Sequence, residues 1–93
     1  MPAAANGRDG TELIHAGFGN YIVMNDVVAI VTPTSAPIQR MVREGKKEKS
    51  IIDMTSGRRT KAAVFTGSGK IILAAITPEA LAGRVKTAQA MSD

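Results

Sequence analysis

Apolar residues fall along this chain in short blocks, separated by glycine, proline and small polar residues. Tyr21-Ile22-Val23-Met24 is β-prone by residue type, and Asn25-Asp26 breaks it. Val27-Val28-Ala29-Ile30-Val31 is an unbroken apolar run, the pattern of a buried strand. Ile51-Ile52-Asp53-Met54-Thr55, Ala62-Ala63-Val64-Phe65 and Ile71 to Ile76 give three more strands. Ahead of these, Glu12 to Ala16 suits a short strand and Gly17-Phe18-Gly19-Asn20 a turn, with Phe18 expected in the core. Ser56 to Thr60 reads as a polar hairpin connection. Gly67-Ser68-Gly69 reads as a tight hairpin turn, because glycine accepts the positive φ such turns need.

Two segments change period. After Thr32-Pro33, Thr34 or Ser35 can cap a helix, and Pro37 fits a first turn, where its missing N–H costs nothing. Ile38, Met41 and Val42 then form one apolar stripe, with Arg40, Arg43, Lys46 and Lys47 off it. This helix should end between Gly45 and Glu48. Thr77 and Pro78 open a second helix, carried by Ala80, Leu81, Gly83, Arg84 and Val85. Tight turns between the later strands imply a mainly antiparallel sheet. The expected class is α+β, a small antiparallel β-sheet with two helices. Residues 1–11 read as a disordered tail, 12–86 as a single domain and 87–93 as a second tail.

A chain of 93 residues buries a modest core and gains from a supplement. It has no cysteine, so disulfides and thiolate chemistry are excluded, and it has one histidine, His15. Self-association is the simplest supplement left. The start is small and polar, unlike a signal peptide, and no apolar run approaches the ~18 residues of a membrane span. A cytoplasmic protein without a membrane partner is expected.

Signals for catalysis are weak. The carboxylates are scattered, and His15 reads as a structural or surface residue. Gly67-Ser68-Gly69-Lys70 fails the phosphate-loop pattern: Val64 stands where its first glycine belongs, and Ile71 where a hydroxyl residue should follow the lysine. Met24, Met41 and Met54 read as packing residues. No enzyme, catalytic residue, metal site or cofactor is expected.

Charge is more informative. The net charge is +4, yet residues 40–61 carry eight basic side chains against three acidic ones. Clustered positive charge favours a polyanion, because neutralising phosphates releases condensed counterions. Thr55-Ser56-Gly57-Arg58-Arg59-Thr60-Lys61 concentrates two arginines, a lysine and three hydroxyls in seven residues. Arginine presents a planar fork of donors that suits phosphate or a guanine edge, and hydroxyls add phosphate contacts. The candidate DNA-binding residues are Gly57, Arg58, Arg59, Thr60 and Lys61, with Arg40 and Arg43 of the basic helix. Of the aromatics Phe18, Tyr21 and Phe65, at least two are expected to be buried, which favours a duplex over unstacked bases.

Gly17-Phe18-Gly19-Asn20, Ser35-Ala36-Pro37-Ile38 followed by Arg40-Met41, Ile52-Asp53, Gly57-Arg58-Arg59-Thr60 and Pro78-Glu79 together resemble the RemA family of bacterial extracellular matrix regulators. The resemblance runs from about Leu13 to Val85. It implies a DNA-binding regulator of biofilm matrix genes with a LytTR-like fold. It also implies a closed homo-octameric ring, and DNA contact through the pair matching Arg58 and Arg59. Better-known members carry an arginine linked to DNA binding at the position of Asp26, so that contact is absent here or has moved.

The expected function is therefore a nucleoid-associated transcription regulator whose partners are double-stranded DNA and copies of itself. A protein-partner assembly protein without nucleic-acid binding is the alternative.

Overall fold

The computed structural model describes residues 12–87. The expected tail 1–11 and residues 88–93 lie outside them. In chain order the elements are β1 (Glu12–Gly17), β2 (Asn20–Val23), a 3-10 turn (Met24–Asp26), β3 (Val27–Val31), α1 (Ala36–Lys47), β4 (Ile51–Met54), β5 (Ala62–Thr66), β6 (Ile71–Ala74), α2 (Pro78–Ala82) and β7 (Val85–Thr87). The class is α+β, with two sheets and two helices.

The strands form two sheets, not the single antiparallel one expected. The first is antiparallel, in the order β2-β1-β7. The second has the order β3-β5-β6-β4 and contains a parallel pair: Ile51 of β4 lies opposite Ile71 of β6, and Met54 opposite Ala74. β5 and β6 form the expected hairpin, with Phe65 opposite Ile71. The connection after β4 is therefore not a hairpin. β6 is apolar throughout and nearly all buried, so it takes an interior position, whereas β4, interrupted by exposed Asp53, sits at the edge.

Side chains alternate across the second sheet. Ala62, Val64, Ile72 and Ala74 join Ile14, Ala16, Ile22 and Leu81 in the buried core, with Met24, Val27, Ile30, Met54 and Ile76 around it. Ala63 and Leu73 alternate with these, and they are buried as well. α1 lies on their side, with Val42 beside Leu73 at one cavity and Gly45 against Ile51. A Cβ on Gly45 would lie 2.8 Å from the Ile51 Cδ1 atom, so glycine permits this close approach. The layers are thus the first sheet, the second sheet and α1.

Both helix starts follow from local chemistry. The Ser35 hydroxyl accepts the Ile38 N–H at 3.4 Å, and the Thr77 hydroxyl accepts the Ala80 N–H at 3.2 Å. Pro37 and Pro78 occupy the first turns. α2 stops at Ala82, earlier than expected, because Gly83 caps it and Val85 pairs with Ile14 as a strand.

Three side chains expected inside are outside. Val28 is 71% exposed, since β3 is an edge strand with a bulge between Val27 and Ala29. Met41 lies at the rim of the α1 stripe and is exposed. Phe18 is 49% exposed, because its turn puts three successive residues at positive φ and turns the ring out of the core.

Leu81 is fully buried between α2 and β1. Leu81→Ala should lower the unfolding free energy by about 2–5 kcal/mol, measured by urea titration. A loss under ~1 kcal/mol would mean that α2 is not part of the cooperative core.

Candidate nucleic-acid interface

Residues 55–61 connect β4 to β5 across the end of β6, the strand between them. Both ends of this crossover are clamped. At its start, the Asp53 carboxylate accepts the Thr55 N–H at 2.8 Å and the Thr55 hydroxyl at 2.6 Å. Thr55 is 3% exposed, the one buried polar side chain among the described residues. The Arg58 N–H then donates to the Thr55 carbonyl at 3.0 Å, closing a turn with Ser56 at φ 53° and Gly57 at φ 79°. Positive φ at both central residues is the type I′ pattern, which glycine adopts without strain. A Cβ on Gly57 would meet nothing within 4 Å, so backbone conformation alone calls for glycine there. At the far end, the Lys61 N–H donates to the Ala74 carbonyl at 2.8 Å.

The two exposed arginines between these clamps leave the chain toward different neighbours. The Arg58 guanidinium lies 4.5 Å from the centre of the Phe18 ring. Arg59 borders a cleft of about 430 Å³ with Thr60 and Lys61 of the crossover, Thr32 and Thr34 after β3, and Thr77. The Gln39 amide closes one side and donates weakly to the Pro33 and Thr34 carbonyls, at 3.5 and 3.4 Å. Among the described residues, no carboxylate lines this cleft. Cationic and hydroxyl donors without an acidic neighbour suit an anionic oxygen.

The structure thus brings Gly57, Arg58, Arg59, Thr60 and Lys61 onto one crossover. Arg40 and Arg43 are exposed on α1 but do not line the cleft. Arg43 follows Gln39 by one turn, on roughly the same side of the helix, whereas Arg40 is turned ~100° away.

The expectation that most aromatics are buried fails for Phe18 and for Tyr21, which is 50% exposed. Each has a ring face covered by a neighbour, however. Arg58 covers Phe18, and His15 stacks on Tyr21 with ring centres 5.0 Å apart. Asp26 lies at the other end of the second sheet, where its carboxylate accepts the Ser68 hydroxyl at 3.1 Å and its carbonyl accepts the Gly67 N–H at 2.8 Å. Sequence reasoning missed Phe18 as a partner of Arg58. The available signal was its place between two glycines, since the centre of a tight turn projects outward.

Among the described residues, no helix is long and apolar enough to cross a membrane, and no group of three or more His, Asp or Glu side chains could hold a metal ion.

Fold and crossover define a small two-sheet α+β domain that presents cationic side chains from one clamped connection. The family model described as extracellular matrix regulatory protein A-like matches residues 13–85, and the chain belongs to this family. It is 54% identical over 74 residues to a provisionally named regulatory protein of Dehalococcoides mccartyi, covering 80% of this chain and 77% of that one. A similarly named protein of Synechococcus elongatus is 48% identical over 73 residues, covering 78% and 84%. One from Clostridium botulinum is 45% identical over 84 residues, covering 90% and 94%.

The Asp53 carboxyl is held below its ordinary pKa, first by the Thr55 hydroxyl, then by the Thr55 N–H, with the Lys46 charge assisting against slight desolvation. Because the folded value is the lower one, this contribution to stability is complete above the unfolded value. It is lost as pH falls through the folded value. Below about pH 4, the wild type should lose stability more steeply than Asp53→Asn, measured by denaturant unfolding across pH. Parallel curves would show that the clamp is insensitive to the carboxylate charge.

Proposed function

We propose that this protein is a DNA-binding transcription regulator of the type that activates extracellular matrix genes. It acts as a ring-shaped homo-oligomer with a LytTR-like DNA-binding fold. The observation that carries the reading is the crossover: Arg58, Arg59 and Lys61 project from seven residues clamped at both ends, beside a cleft lined without carboxylates. The cleft, with Arg59, Lys61 and threonine hydroxyls, suits a backbone phosphate. Duplex is favoured over single strands because neither exposed ring lines the cleft, so its donors meet backbone phosphate without a platform for an unstacked base.

One such loop is a weak ligand, and repetition around a ring converts it into avidity. Exposed apolar side chains on different edges support head-to-tail assembly, which needs two unlike surfaces. Tyr21 and Val23 lie on β2, an edge of the first sheet, and Val28 lies on β3, an edge of the second. The resemblance implies eight subunits.

Binding to duplex should weaken with salt, and Arg58→Ala/Arg59→Ala should lower both affinity and the slope of log affinity against log salt. Each lost phosphate contact removes about 0.9 from that slope. Undiminished affinity in the double variant would remove the crossover from the interface. No duplex binding by the wild type at low salt would favour a protein partner instead. Light scattering should give a mass several times that of the chain, and a monomer mass would sink the ring.

A further inference from the structure

Phe18 occupies a position that folding alone does not explain. Its φ is 55°, between Gly17 at 90° and Gly19 at 79°. This left-handed region strains a bulky side chain, and glycine or asparagine would sit there at less cost. The turn itself is secured by a different residue, since the Asn20 side-chain amide donates to the Gly17 carbonyl at 3.2 Å. The ring also contributes less to packing than a core phenylalanine, being 49% exposed. Its distinctive contact is with the Arg58 guanidinium, 4.5 Å from the ring centre. An observed outlier at an exposed site is a reason to look for function there.

We infer that Phe18 is a positioning residue for Arg58, fixing the guanidinium at the surface before DNA arrives. The inference rests on the DNA-binding reading above. With its central carbon over the ring, the guanidinium still has five N–H donors to share with phosphate or a base edge. A long side chain that is already ordered loses less rotamer freedom on binding. Among the described residues, Arg59 has no aromatic partner, and it lies beside the hydroxyl-lined cleft. The two arginines are therefore unequal: Arg58 makes an oriented contact, and Arg59 supplies charge. A lysine cannot reproduce a planar fork held over the ring, so Arg58→Lys should weaken binding more than Arg59→Lys.

The test is a double-mutant cycle on the full chain, titrated with duplex DNA. Phe18→Leu should weaken binding about three- to tenfold, and Phe18→Tyr should restore it, because tyrosine keeps the ring face. In an Arg58→Ala background, Phe18→Leu should have no further effect. An equal loss in both backgrounds would show that the ring acts independently of Arg58, and no loss in either would show that it does not matter; each outcome overturns the inference. In the free protein, the Arg58 side-chain proton resonances should carry an upfield ring-current shift that disappears in Phe18→Leu. Absence of that shift in the wild type would overturn the positioning role without touching the DNA-binding reading. Failure of the wild type to bind duplex would remove that reading and this inference with it.

Discussion

The pairing of β6 on both its edges is the constraint on which the arginine crossover depends. β6 lies between β4 and β5 in space but follows both in sequence. The chain leaving β4 must therefore pass the end of β6 before it can enter β5. Two strand spacings of ~4.8 Å separate the endpoints. Seven extended residues could span more than twice that distance. The surplus length folds back as the turn at Ser56 and Gly57, and the Lys61 bond to Ala74 ties the end of the crossover to the strand it crosses. A hairpin between β4 and β5 would not pass the end of β6, and the Ala74 carbonyl would not be there to tie it down.

Elements defined by local chemistry were legible in the sequence. Both helix caps, the prolines behind them and the hairpin at Gly67-Ser68-Gly69 lie where hydroxyl, proline and glycine signals put them. Strand pairing was less legible, because Ile51 to Met54 carries the same apolar signature whether its neighbour is β5 or β6. Choosing between them takes the long-range fact that β6 is buried on both faces. Burial of the Val27 to Val31 run failed for a related reason, since composition marks a strand but not whether its edge is covered. At the site, Arg58, Arg59 and Lys61 were visible as a charge cluster. The Phe18 contact was not, since it joins turns some forty residues apart in sequence.

The crossover also shows how rigidity and exposure are combined in a short connection. Asp53 is exposed, yet it orders Thr55, which is buried. Thr55 in turn offers its carbonyl to the Arg58 N–H. The arginines thus stand on a backbone fixed from within while their side chains face outward. Sites built in this way hold their donors closer to a binding geometry than free loops do.

Asp26 bears on where positive charge is concentrated. It sits at the start of β3, whereas Thr32 and Thr34 of the cleft follow the end of the same strand. Five residues of strand separate them, a distance of roughly 16 Å. An aspartate at that end serves the fold directly, because its carboxylate accepts the Ser68 hydroxyl, beside a backbone bond from the Gly67 N–H that any residue could accept. An arginine could not make the same acceptor bond, having only donors to offer. On the proposed reading, this chain has a carboxylate bonded to the hairpin where the resemblance implies a cationic contact. Its DNA-facing charge then gathers at the crossover end of the sheet, which makes the orientation of Arg58 matter more.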